Sequence, residues 1–345
     1  MLISRIVQSN SRYDFAVRSS NSATMNPPML ATFIFFEFSR TAVSMSFAGI
    51  ALFLIGIWAV RSDFAQASGL DKIVVLGNLC FAIPLAGFGA EHLSGAKFIM
   101  NGVPPYMPWR LFWAYFVGFA LIAASLSIAT KIEVRWSGLL FGIMMFLFVA
   151  MLHVPGALAE PHNRFRWAVV LREMSFGGAG WVLAGTAIGR GRVSGRGLIT
   201  VGRVLIAITA LFFAVEHFLH PFGLPGVPLE KQMPPWVPAR VIIDYLTGVL
   251  LVVAGVCFLL GRKVRTAATY VGSWIVLMVV IIYAPVMIGA LLNPATEVKV
   301  EGLNYFYDTL LFGGVILAVA NAMMSPAQHP APAEASERVP SLSSS

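Results

Sequence analysis

Long apolar runs separated by short polar joints fill residues 41–323, and most are close to the length of one bilayer crossing. A hydrocarbon core of about 30 Å asks for about 20 apolar residues per helical span. Thr41 to Val60, Ile73 to Ala90, Leu111 to Thr130, Trp136 to Ala159 and Thr266 to Leu292 contain no Asp, Glu, Lys or Arg. The other runs carry charge near one end: Trp167 to Gly189 holds Arg172 and Glu173, and Leu198 to His220 holds Arg203, Glu216 and His217. Val241 to Gly261 holds Asp244, and Leu303 to Met323 holds Asp308. The pattern predicts nine spans in an all-α, polytopic transmembrane bundle.

Composition agrees. Of 345 residues 58% are hydrophobic and only 12% charged, too little polar surface for a soluble domain of this size. Residues 1–40 read as a partly disordered tail, of which 1–24 are polar, with Arg5, Arg12 and Arg18 but no apolar core of a cleaved signal, so Met25 or Met29 is an alternative start. The Pro, Ala and Ser of 324–345 cannot bury enough surface to fold. Cys80 and Cys257 lie far apart within spans and suggest packed thiols rather than a disulfide or a zinc site.

A net charge of +8 raises the question of nucleic acid, but the basic residues sit mainly in joints between spans, where topology accounts for them. Alternate joints carry twelve Lys and Arg, among them Arg190, Arg192, Arg196, Lys263 and Arg265, against nine on the other side. The amino terminus is therefore expected outside and the carboxyl terminus in the cytoplasm. GRGRVSGRG at 189–197 lacks a preceding strand and the Lys-Ser/Thr of a phosphate loop, and reads as a joint touching anionic lipid.

The chain repeats itself. Glu91-His92 and Glu216-His217 are 125 positions apart, and Gly77, Ala82 and Phe88 match Gly202, Ala207 and Phe213 at the same offset. From Pro104 the offset becomes 130, and residues 104–155 align without a gap on 234–285 with 14 identities in 52 positions, including three prolines, Arg110, Tyr115, Gly118, Arg135 and Pro155. This predicts two parallel four-helix repeats, 72–190 and 191–323, after an extra amino-terminal span and loop at 41–71. Four spans per copy return the chain to the side it left, so both Glu-His pairs belong at one end.

An ionisable group in hydrocarbon costs at least about 2.5 kcal/mol, so such groups face one another, a cavity or water. Glu91, His92, Arg110, His153, Glu216, His217, Arg240 and Asp244 all fall in the outer third of their spans and form the candidate binding set, one polar vestibule beneath one leaflet. Within it Glu216 and His217 are the candidates for proton transfer, since histidine titrates near neutrality. Arg240 and Asp244, four apart on one helix, are expected to share a polar site. Aligning FGG at 176 with FGG at 312 sets Arg172 opposite Asp308, a structural ion pair across the repeat axis. His92 and His217 lack the spacing of a haem or metal set.

EHFLHPFGLPGVPLEKQMPPWVPAR at 216–240, DYLTG, GRKVRTAA, LHVPGALAEPHNRFRW at 152–167 and EGLNYFYDTLLFGG at 301–314 resemble the DoxX-like family of bacterial membrane proteins. That likeness covers residues 70–323, with Ala114 in the first copy where Asp244 stands in the second. The resemblance implies a four-helix unit in a prokaryotic inner membrane and, for some relatives, a subunit of a quinone-linked redox complex with protein redox partners. Two readings stay open: a quinone-handling subunit, or a small-solute carrier, binding protein or structural subunit without redox chemistry. The lipid bilayer is the partner common to both.

Overall fold

The computed structural model describes residues 27–324, with side chains from Arg40 onward. The expectations for Arg5, Arg12, Arg18, Met25 and the 325–345 tail lie outside the described residues. Among the described residues there are nine long helices: α1 (Pro27–Gln66), α2 (Asp71–Ser94), α3 (Arg110–Thr130), α4 (Val134–Ala159), α5 (Arg164–Ile188), α6 (Val193–Leu219), α7 (Arg240–Leu260), α8 (Val264–Leu291) and α9 (Thr296–Ala322). Among the described residues there is no β-strand, only an isolated bridge between Gly223 and Gln232. The first helix begins well before Thr41, where the uncharged run begins, because Glu37 and Arg40 interrupt the apolar pattern without breaking the backbone.

Eight of these helices are long and apolar enough to cross a membrane. The exception to the nine expected is α5, whose 25 residues suffice in length but whose first turns contain Arg164, Arg166, Arg172 and Glu173. Its neighbours explain the composition: α5 packs against α4, α6 and α9, so that much of its surface meets protein. The same rule holds for α9, the least apolar of the eight at a mean hydropathy of 1.5 and the most enclosed at 89% buried. By contrast α4 and α8, at 2.2 and 2.5, are 22% and 33% buried and present the rest outward. Lipid contact selects hydropathy; protein contact selects small residues and satisfied polar groups.

Close helix approach is bought with glycine. A Cβ on Gly178 of α5 would stand 3.0 Å from the Gly202 carbonyl of α6, and one on Gly314 of α9 would stand 2.5 Å from the Phe81 nitrogen of α2. These two contacts belong to one scheme. The α2–α3, α3–α4 and α4–α5 interfaces are matched by α6–α7, α7–α8 and α8–α9, while α5 packs on α6 and α9 on α2. The last helix of each run thus closes against the first helix of the other, with α5 and α9 touching between them. Helix α1 stands outside this pattern, covering α2, α3 and α9, with the Tyr307 hydroxyl donating to its Met45 carbonyl at 2.9 Å.

Backbone detail follows the 130-residue register. Left-handed residues recur as Trp109 and Ala239, Lys131 and Gly261, and Glu133 and Lys263, each pair 130 positions apart. Both α4 and α8 contain a single π turn, Val149–His153 and Val279–Tyr283, each two residues before a proline, Pro155 or Pro285. Proline has no N–H and crowds the preceding turn, and a wider turn with i→i+5 bonds absorbs the mismatch without ending the helix.

Candidate functional site

The carboxyl ends of α2 and α6 come to the same end of the bundle as the amino ends of α5 and α9, through three polar links. Asn304 Nδ2 of α9 donates to Glu91 Oε1 of α2 at 3.1 Å, and Arg164 Nη1 of α5 donates to Glu216 Oε2 of α6 at 2.6 Å. Between the two, Arg172 Nη1 donates to Asp308 Oδ2 at 2.6 Å while its Nη2 donates to Glu173 Oε1 at 2.7 Å. All three of these side chains are nearly buried. One guanidinium bridging two carboxylates uses its planar fork in the way that suits arginine to enclosed ion pairs. The benefit is organisational, because removing one member of such a set leaves charge unpaired and costs about 3–5 kcal/mol.

Each Glu-His pair sets its histidine against a glycine of the following helix. A Cβ on Gly118 would lie 3.0 Å from His92 Cβ, and a Cβ on Gly248 would lie 3.3 Å from His217 Cβ. From there the two environments diverge. His217 Nδ1 donates to Asp244 Oδ1 at 2.5 Å, both side chains at 1% exposure or less. Its Nε2 lies 3.2 Å from the Gly226 N–H and 3.3 Å from the Gly226 carbonyl. In the first run Ala114 stands in the place of Asp244, and His92 Nδ1 donates to the Phe88 carbonyl of its own helix at 2.8 Å. With Nδ1 holding the proton, Nε2 of a neutral imidazole carries the lone pair.

The joint before α7 makes the second environment. Residues 220–239 fold inward, pinned by Met233 N–H to the Phe222 carbonyl at 2.8 Å and Leu224 N–H to the Lys231 carbonyl at 3.1 Å. Leu224, Val227, Leu229, Met233 and Val237 are buried. Gly226 has φ +110°, and a Cβ there would lie 3.2 Å from Thr309 Cγ2, so both the backbone and the space require glycine. The preceding Pro225 carbonyl accepts from the Tyr283 hydroxyl at 3.0 Å. The shorter joint before α3 stays nearer the surface: Ala96 in its short helix Ala96–Ile99 is buried, but no residue from 101 to 109 is, and Tyr106 and Trp109 are exposed.

Several expectations change. Arg240 does not share a site with Asp244: its Nη1 donates to the Met233 carbonyl at 3.3 Å, and Asp244 faces His217 on α6 instead. Spacing of four places two groups on one face, but helix crossing decides which partner is nearer. Glu216 and His217, adjacent in sequence, point to different partners, Arg164 and Asp244. Arg110 contributes no hydrogen bond to the polar set among the described residues, and its Nε is buried without a partner. His153 lies within electrostatic reach of Arg172 and Glu173 and makes no hydrogen bond among the described residues. In place of one vestibule, the polar groups form a central ion-paired set flanked by two histidine environments.

Asn304, Arg164, Tyr283 and the Pro225–Gly226 peptide belong to the site without being singled out by the sequence, which marks Glu173 only as a charge within its run. The register offered a signal for one of them, since Tyr283 is 130 positions from His153. Two cavities stand out elsewhere. A groove of about 430 Å³ runs beside Phe222, Pro235 and Arg240, and a cavity of about 1000 Å³ opens at the opposite end among Asp63, Asp71, Asn78, Lys131 and Asn321. Among the described residues no group of three His, Cys, Asp or Glu gathers as a metal-ligand set.

Fold and site together define a multi-pass helical membrane protein with an ion-paired polar centre. No family model, no curated protein and no solved structure matches the chain.

Proposed function

We propose that this is a membrane protein of two parallel four-helix units led by one extra helix, and that the end bearing both Glu-His pairs binds a small neutral solute. In this reading α5 also spans, the protein lies in the cell inner membrane, the shared end faces outward and the carboxyl terminus is cytoplasmic. The duplication is supported by the paired left-handed residues, the paired π turns and the matched helix contacts. Solute binding is supported by one observation above all: two equivalent histidines sit on equivalent glycines, and one has both ring nitrogens engaged while the other keeps Nε2 in reserve. Polar capacity inside a membrane bundle is costly unless it is used.

The redox alternative has its own support in His92. An imidazole held by an Nδ1–H bond presents the lone pair of Nε2 to a quinol hydroxyl as a hydrogen-bond acceptor. The DoxX resemblance adds nothing to this, as no match accompanies it. Organic extraction of the purified protein followed by mass detection separates the two: quinone at close to one equivalent, reduced by His92→Phe, favours the redox subunit. Both readings need one shared outward end. Single cysteines at exposed Tyr106 and Trp236, in a background lacking Cys80 and Cys257, should react alike with an impermeant maleimide on intact cells. Labelling of only one would reject the architecture.

A further inference from the structure

The Pro225–Gly226 peptide is held as a ligand would be. Its carbonyl accepts from the Tyr283 hydroxyl at 3.0 Å and its N–H donates to His217 Nε2 at 3.2 Å. In a trans peptide these two groups point to opposite edges of one plane, so two side chains clamp a single planar amide from both sides. Leu224 and Val227, each 1% exposed, flank it with apolar surface. The second unit is therefore occupied by its own chain.

In the first unit the clamp residues have counterparts but the peptide does not. His92 stands 125 positions before His217, and His153 stands 130 before Tyr283 on the matching π turn. Nε2 of His92 has no partner among the described residues, and neither nitrogen of His153 has one. Glu173, at the place of Thr309 in the FGG register, neighbours both histidines electrostatically. The joint 95–109, helical at Ala96–Ile99, buries Ala96 but none of residues 101–109, and no backbone group of it bonds to His92 or His153 among the described residues.

We infer that the first unit binds a small N-alkyl amide, its carbonyl taken by an N–H of His153 and its N–H by Nε2 of His92, and that the second unit displays the bound form with its own backbone. An amide matches because it offers an acceptor and a donor on opposite edges at the spacing of the peptide it would replace, with apolar arms on both sides. A quinone offers two acceptors set farther apart. This inference rests on the two-unit reading above and sharpens its solute class.

The full-length protein, labelled with ¹⁵N-histidine and held in nanodiscs, tests it by titration with N-butylacetamide and with the peptide acetyl-Leu-Pro-Gly-Val-amide. The ring nitrogens of His92 and His153 are expected to shift saturably while His217 stays fixed, and His92→Phe should weaken the His153 response about tenfold, the scale of one hydrogen bond. His153→Phe should do the same at His92, which keeps the test open if one variant fails to fold. No saturable shift at either residue, or equal shifts at His162 and His220, would overturn the inference. Shifts at His92 and His153 with a short-chain quinone but with neither amide would overturn it and leave solute binding standing; failure of the two-cysteine labelling would remove the architecture beneath both.

Discussion

The run α2–α5 and the run α6–α9 use one scaffold for two polar environments. Each places a histidine against a glycine of the next helix and a π turn before a proline, yet the second run adds five joint residues and one carboxylate, and with them closes its site. The lesson concerns where difference is cheap. Helix crossings fixed by Gly118 and Gly248 tolerate little change, because backbone and side-chain atoms already touch there. Joints at the membrane surface accept insertions, since loop length costs little free energy.

The largest effect that should blur the comparison lies between the runs. Arg172→Ala leaves Glu173 and Asp308 without their shared cation and is expected to lower stability by about 3–5 kcal/mol in denaturant titrations of the reconstituted protein. Adding Asp308→Asn should recover part of that loss. Additive damage from the two changes would show that the pair is not coupled.

Converting the second environment into the first is the next test. Asp244→Ala removes the acceptor of His217 Nδ1 and should cost about 1–3 kcal/mol, the penalty for a stranded buried donor. The loss should fall toward the lower figure, because the Phe213 carbonyl occupies the position that Phe88 holds for His92. A histidine ¹⁵N spectrum in which Nδ1 of His217 loses its proton would contradict that rescue.

The glycine seats permit a paired measurement. Gly118→Ala meets Leu93 Cδ2 at 2.7 Å, whereas Gly248→Ala meets the Phe218 ring at 3.0 Å. Both should destabilise by about 1–3 kcal/mol through overpacking, the first more than the second. The reverse order would mean that the first run relaxes more easily than its geometry suggests.

The smallest effects belong to the far end. Arg135 and Arg265 are register partners, but Arg135 pairs with exposed Glu133 at 3.2 Å, and Arg265 holds both oxygens of Asp71 at 2.9 and 3.0 Å. Alanine at Arg135 should change stability by less than about 0.5 kcal/mol, and alanine at Arg265 by somewhat more but under about 1 kcal/mol. A larger loss at Arg135 would indicate a contact beyond that pair.

What the sequence by itself determined is the helical membrane-protein class, where most helices lie and a recurrence at a fixed offset, because lipid imposes length and hydropathy on a helix one residue at a time and prolines and glycines that recur at one spacing stay visible. The α5 helix, which the sequence pattern counts as a ninth span, falls short of the apolarity of the other eight for the same reason: protein neighbours relieve it of the need to be apolar. Partner choice needed the tertiary structure. Asp244 turned to His217 rather than to Arg240, Glu216 to Arg164, and Pro225–Gly226 to the interior, since each outcome depends on which helices cross at a glycine and how far a joint can reach. Such contacts are decided by geometry across more than twenty residues of chain, and no local pattern of residue types encodes them.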